Sequence, residues 1–111
     1  MGAPVIAMCV YRVKPEGEEE FRGLLKRHWP TLVRLGLATE DPPVVYRGLE
    51  EGRPFLVEFL TWRDAEAAPA AEQTPEVLAL WEPMGALCEE RNGRPAMEFP
   101  DVERLDLHGG R

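Results

Sequence analysis

Two segments of this chain, Val5–Val13 and Phe55–Trp62, carry apolar side chains on both of their alternating faces. Successive side chains of an extended strand point to opposite sides. Val5, Ala7, Cys9, Tyr11 and Val13 therefore share one face of the first segment, and Ile6, Met8 and Val10 share the other before Arg12. In the second segment Phe55, Val57 and Phe59 oppose Leu56, Leu60 and Trp62, with Glu58 on the Leu56 side. A sheet with one wet face would alternate apolar and polar residues, so these segments predict a sheet covered on both sides. In a chain of 111 residues, helices can supply one cover. The economical second cover is another copy of the chain, because a twofold sheet-to-sheet contact is self-complementary.

The rest of the pattern supplies those helices. After the turn Lys14-Pro15-Glu16-Gly17, the residues Phe21, Leu24, Leu25, His28, Leu32 and Leu35 follow helical spacing, with acidic residues opening the helix and Gly36 ending it. Pro30 predicts a kink or restart near Trp29. Val44–Glu50 and Phe55–Trp62 read as a hairpin across the turn Glu51-Gly52-Arg53-Pro54, and Asp64–Ala71 as a short helix disturbed by Pro69. Thr74-Pro75-Glu76 starts a second main helix through Val77, Leu80, Trp81, Met84 and Cys88, which Pro83 should bend and Asn92-Gly93 close. Ala96–Leu107 reads as extended, with an edge or bulge at Pro100, before a polar tail from His108 to Arg111. The order βαββαβ predicts an α+β ferredoxin-like domain over residues 1–111: a four-stranded antiparallel sheet with the helices on one face.

Composition narrows the function. A net charge of -7 argues against nucleic acid and against an anionic membrane surface. The N-terminal apolar run meets Arg12 too soon for a secretory signal or a membrane span. Cys9 and Cys88 lie in apolar patterns without neighbouring thiols or imidazoles, which predicts reduced core residues in a cytoplasmic protein and no metal site.

The order of elements, and above all Glu58-Phe59-Leu60-Thr61-Trp62-Arg63-Asp64-Ala65-Glu66-Ala67 followed by Thr74-Pro75, resembles the dimeric α+β barrel proteins of the antibiotic-biosynthesis-monooxygenase type. The resemblance implies a homodimer whose two sheets pack into a barrel. Its activities range over cofactor-independent oxygenation of polycyclic aromatics and haem degradation. Ala71 and Glu72 stand where many such proteins carry a histidine, and Asn92 lies in a predicted helix-end turn, so the Asn, Trp and His set of the haem-degrading members is not matched.

Glu58 is the most informative single candidate, because alternation places it on an apolar face that a dimer would bury. There it could act as a general base or ligand anchor, with a raised pKa if unpaired. An ion pair with Arg12 or Arg47 is the simpler expectation. His28, on the apolar stripe of the first helix, is either a proton shuttle or axial ligand, or, as the simpler expectation, a half-buried core residue bonded to a backbone carbonyl. Tyr11, Trp29 and Trp62, with Arg12 and Arg47, are the candidate ligand-binding set; Tyr46, Trp81 and Phe99 add aromatic area. No nucleophile has an adjacent base, no glycine-rich phosphate loop occurs and no metal-spaced cluster exists, so no cofactor is expected. Two readings follow. One is a homodimer that binds a small apolar or aromatic molecule, as a cofactor-independent monooxygenase. The other is a non-catalytic dimeric accessory or interaction module whose pocket has closed. A cavity of roughly 300 Å³ or more holding a polar group separates the first from the second.

Overall fold

A computed structural model describes residues 2–109. Met1, and Gly110 and Arg111 of the expected polar tail, lie outside the described residues. The elements are β1 (Val5–Tyr11), α1 (Glu18–Arg34), β2 (Val44–Glu50), β3 (Arg53–Trp62), α2 (Ala67–Ala71), α3 (Pro75–Ala86), β4 (Met97–Glu98) and β5 (Asp101–Val102). All strand pairs are antiparallel, in the order β2-β3-β1-β4, with β5 also on β1. This is the expected α+β ferredoxin-like arrangement, with its last strand in two pieces.

That division has a visible cause. Pro100 interrupts the ladder, yet its carbonyl still accepts the Met8 amide at 2.8 Å, so the chain bulges and rejoins β1. Strand pairing then ends at Val102, and residues 103–107 lie outside the ladder. Two further expectations are corrected. Asn92 and Gly93 do not close α3, which ends at Ala86; both have positive φ (51° and 80°) and form a two-residue turn in which Arg91 and Arg94 exchange backbone hydrogen bonds. Such a turn demands the left-handed conformation that Asn-Gly tolerates. Glu51 and Gly52, at 52° and 80°, turn the β2–β3 hairpin in the same way, so Arg53 and Pro54 already belong to the strand.

Helix α1 runs uninterrupted through Pro30. It ends as expected at Gly36 (φ 75°), where the Leu37 amide reaches back to the Leu32 carbonyl and the Gly36 amide to Val33, a Schellman closure. Thr74 holds the N-cap position of α3, but its hydroxyl turns back to the Ala70 carbonyl at 2.8 Å instead of capping.

Helices α1 and α3 cover one face of the sheet. Phe21, Leu32, Val77, Leu80 and Met84 from the helices meet Ala7, Cys9, Tyr11, Leu56, Leu60 and Trp62 from the strands in one buried cluster. The register sets Cys9 beside Glu58 and Val45 beside Glu58 on its other side. Glu58 therefore lies on the helix-covered face, where it is 1% exposed, and not on the face left for a partner. The alternation was correct; which face the helices take is decided by their own packing. On the opposite face Ile6, Met8, Val57, Phe55 and Phe59 are only partly covered, and Val44 and Tyr46 are exposed.

Candidate functional site

A cavity of about 260 Å³ opens between the inner sheet face and helices α1, α2 and α3. Strand β1 contributes Ala7, Cys9 and Tyr11, which alternation aims inward; β3 contributes Trp62; α1 contributes His28. Ala68, Glu72, Trp81 and Met84 close the helical side, and Met97 and Phe99 the edge. Glu72 and Phe99 are exposed and mark the mouth. The space is neither filled nor sealed, and it falls short of the roughly 300 Å³ taken above as the mark of a ligand pocket.

A chain of polar groups runs behind this wall. The Tyr11 hydroxyl donates to Glu58 Oε1 at 2.7 Å, His28 Nδ1 sits 3.3 Å and 3.4 Å from the two carboxylate oxygens, and Trp81 Nε1 donates to His28 Nε2 at 2.9 Å. An indole N–H can only donate, so His28 Nε2 carries no proton and Nδ1–H is the donor toward Glu58. Trp81 thus selects the imidazole tautomer, and Glu58 is a buried carboxylate held by two donors with no cation in the set. Burial, and next the Glu58 charge, push the Tyr11 phenol well above its ordinary value and the Cys9 thiol up to about 12. Every buried side-chain nitrogen and oxygen among the described residues has a partner.

The expected ion pair of Glu58 with Arg12 or Arg47 is therefore not formed. Arg12 directly follows Tyr11 but alternates to the other side, and is buried at the β2–β3 hairpin end of the sheet, where it meets Glu50 at 3.2 Å, Glu98 at 2.8 Å and the Pro95 carbonyl. Arg47 faces α1 and pairs with Glu18 at 2.6 Å. Register explains Arg47: it sits beside Leu56, one inward position short of Glu58. Trp29 also lies away from the cavity, its indole donating to the Thr39 carbonyl at 3.0 Å. Of the sequence-chosen residues, Tyr11, Glu58, His28 and Trp62 come together; Arg12, Arg47 and Trp29 do not. Trp81 and Phe99, expected only to add aromatic area, do line the cavity, while Glu72 and the bond from Trp81 to His28 have no counterpart in the sequence reading. The signal for Trp81 was its place on the apolar stripe of α3; nothing in the spacing links Trp81 to His28, fifty-three positions away.

No family model and no curated protein matches this sequence. Solved structures do match it in shape. A Nitrosomonas europaea protein described as a candidate antibiotic biosynthesis monooxygenase superposes with a TM-score of 0.69 at 13% identity, over 98% of this chain and 97% of that one. SnoaB, a cofactor-independent oxygenase from Streptomyces nogalater, matches with a TM-score of 0.69 at 17% identity, over 97% and 100%. Rv0793 from Mycobacterium tuberculosis matches at 0.66 and 18% identity, over 96% and 100%. The chain thus has the fold of the antibiotic-biosynthesis-monooxygenase proteins, as the Glu58–Ala67 motif implied. Among the described residues no helix is long and apolar enough to cross a membrane.

Proposed function

We propose that this chain is one domain that works as a homodimer. In this reading each subunit binds a small, largely apolar or aromatic molecule in the cavity beside Tyr11 and oxygenates it without a cofactor. The carrying observation is the Tyr11–Glu58 pair at the wall of an aromatic cavity. A substrate with an acidic C–H next to its rings could pass a proton to the Tyr11 oxygen while Tyr11 passes its own to Glu58. The substrate carbanion then reduces dioxygen, so that a methylene and O₂ become a carbonyl and water. Glu58, through Tyr11, returns the proton to the departing hydroxide. The shape likeness to SnoaB supports this class of reaction. The half-open outer face, with Tyr46 62% exposed beside Val57 and Phe59, supports the dimer.

A thermal-shift screen with anthrones, quinols and haem, followed by oxygen-electrode assays of any binder, tests the reading. Stabilisation by an anthrone or quinol, with oxygen uptake abolished in Glu58→Gln, is the expected result. Two observations favour the ligand-free module instead: the cavity is below the roughly 300 Å³ that separates the two readings, and Glu58 and His28 already have hydrogen-bond partners inside the protein. A screen without a single shift decides for that second reading. Light scattering that returned a monomer at micromolar concentration would remove the dimer from both.

A further inference from the structure

The cavity has a charge preference. No lysine or arginine lines it; its charged groups are Glu72 at the mouth and Glu58 directly behind the Tyr11 hydroxyl. The arginines of neighbouring elements are engaged elsewhere: Arg63 with Asp64, Arg34 with Glu76, Arg47 with Glu18, and Arg12, Arg91 and Arg94 around Glu50. Among the described residues no cation is paired with Glu72. The wall also carries Tyr11, Trp62, Trp81 and Phe99, and aromatic rings attract cations through their negative faces. The wall's own acids agree with this field. Tyr11 and Cys9 are both held in their neutral forms, by burial first and then by the Glu58 charge, and Asp101 adds to the effect at Cys9. An anionic ligand would meet the same burial and repulsion.

We propose that the ligand of this cavity is an organic cation: an ammonium group on an apolar or aromatic frame, the ammonium lodged at the mouth beside Glu72 and the aromatic residues. The inference rests on the cavity being a ligand site, as proposed above. It adds the ligand's charge and makes Glu72 a specificity residue, not a catalytic one. Such a ligand also offsets the negative charge that a carbanion would bring into the same space.

Three matched probes test it: benzyltrimethylammonium, its uncharged isostere neopentylbenzene, and phenylacetate. Binding is read by tryptophan fluorescence of the wild-type protein and of Glu72→Gln and Ala68→Trp. The expected order is benzyltrimethylammonium about tenfold tighter than neopentylbenzene, with no binding of phenylacetate. Glu72→Gln weakens the cation about threefold and leaves the hydrocarbon unchanged; Ala68→Trp, which fills the cavity, removes both. If Ala68→Trp does not fold, the exposed Glu72→Gln still locates the cation. Equal binding of the cation and its isostere, binding of phenylacetate, or indifference to Glu72→Gln overturns the charge preference while leaving the ligand site standing. Binding that survives a folded Ala68→Trp also overturns it, by placing the cation elsewhere. Failure of all three probes overturns the cation proposal, and the anthrone and quinol screen then decides separately whether the cavity is a ligand site.

Discussion

Replacing Tyr11 by Phe removes one hydroxyl from a buried position without changing the shape that packs against Phe21, whose ring centre lies 5.0 Å away. The lost bond is a 2.7 Å donation to a carboxylate that is 1% exposed. Hydrogen bonds to charged groups contribute about 1.5–3 kcal/mol, against about 1 kcal/mol for neutral pairs. Glu58 keeps only the longer His28 contact, so its desolvation is no longer offset, and a loss of about 2–3 kcal/mol is expected. For a domain of this size that corresponds to a fall of roughly 10 °C in Tm. A double-mutant cycle isolates the pair when both partners lose the bond: Tyr11→Phe, Glu58→Leu and the double variant are unfolded in urea at one fixed protein concentration, because the midpoint of the proposed dimer would depend on concentration. A coupling of about 2 kcal/mol is the expected outcome. Had Glu58 rested on Arg12 or Arg47, as the sequence led one to expect, Tyr11→Phe would cost almost nothing. A coupling below about 0.5 kcal/mol would therefore refute the Tyr11–Glu58 hydrogen bond.

Four further outcomes can be checked. Cys9 and Cys88, their thiols pushed by burial to about 12 and about 11, should not react with a disulfide reagent at pH 8 until the protein is unfolded. Burial opposes the charge of Glu50, but Arg94 and Arg12 outweigh it and hold the carboxyl below its ordinary 4.5. A depressed carboxyl contributes stability above its unfolded pKa and loses it as pH falls through the folded one. Wild type should thus weaken below about pH 4.5, and Glu50→Gln, less stable at pH 7, should weaken less over that window. Nitrogen-15 NMR of His28 should show the Nδ1–H tautomer, and Trp81→Phe should disturb it, because the indole donor that selects it is gone. A Cβ on Gly48 would lie 2.5 Å from the Phe55 ring, so Gly48→Ala should cost about 1–3 kcal/mol in urea unfolding; no change would show that the ring swings freely.

The site's membership was half legible. Alternation along β3 grouped Glu58 with Leu56, Leu60 and Trp62, alternation along β1 grouped Tyr11 with Ala7 and Cys9, and the α1 stripe placed His28, since strand and helix periods are local properties of the chain. That both of these strand faces turn inward was not legible, and the sequence pointed Glu58 to the partner face. A buried carboxylate predicts a cationic partner such as Arg12 or Arg47; the molecule instead satisfies it with a phenol and an imidazole. Hydrogen-bond donors of that kind leave no charge pattern to read.

The sequence by itself determined the order of elements, the two-faced strands, the closure of α1 at Gly36 and the Glu58–Ala67 motif, all set by spacing and backbone preference within a few residues. Only the tertiary structure decided which sheet face the helices cover, and so that Glu58 is buried inside the subunit while Arg12 pairs with Glu50 at the hairpin end of the sheet. It also joined Trp81 to His28 and left the cavity between them. These are contacts across long separations, fixed when helices pack on a twisted sheet, and no local pattern encodes them.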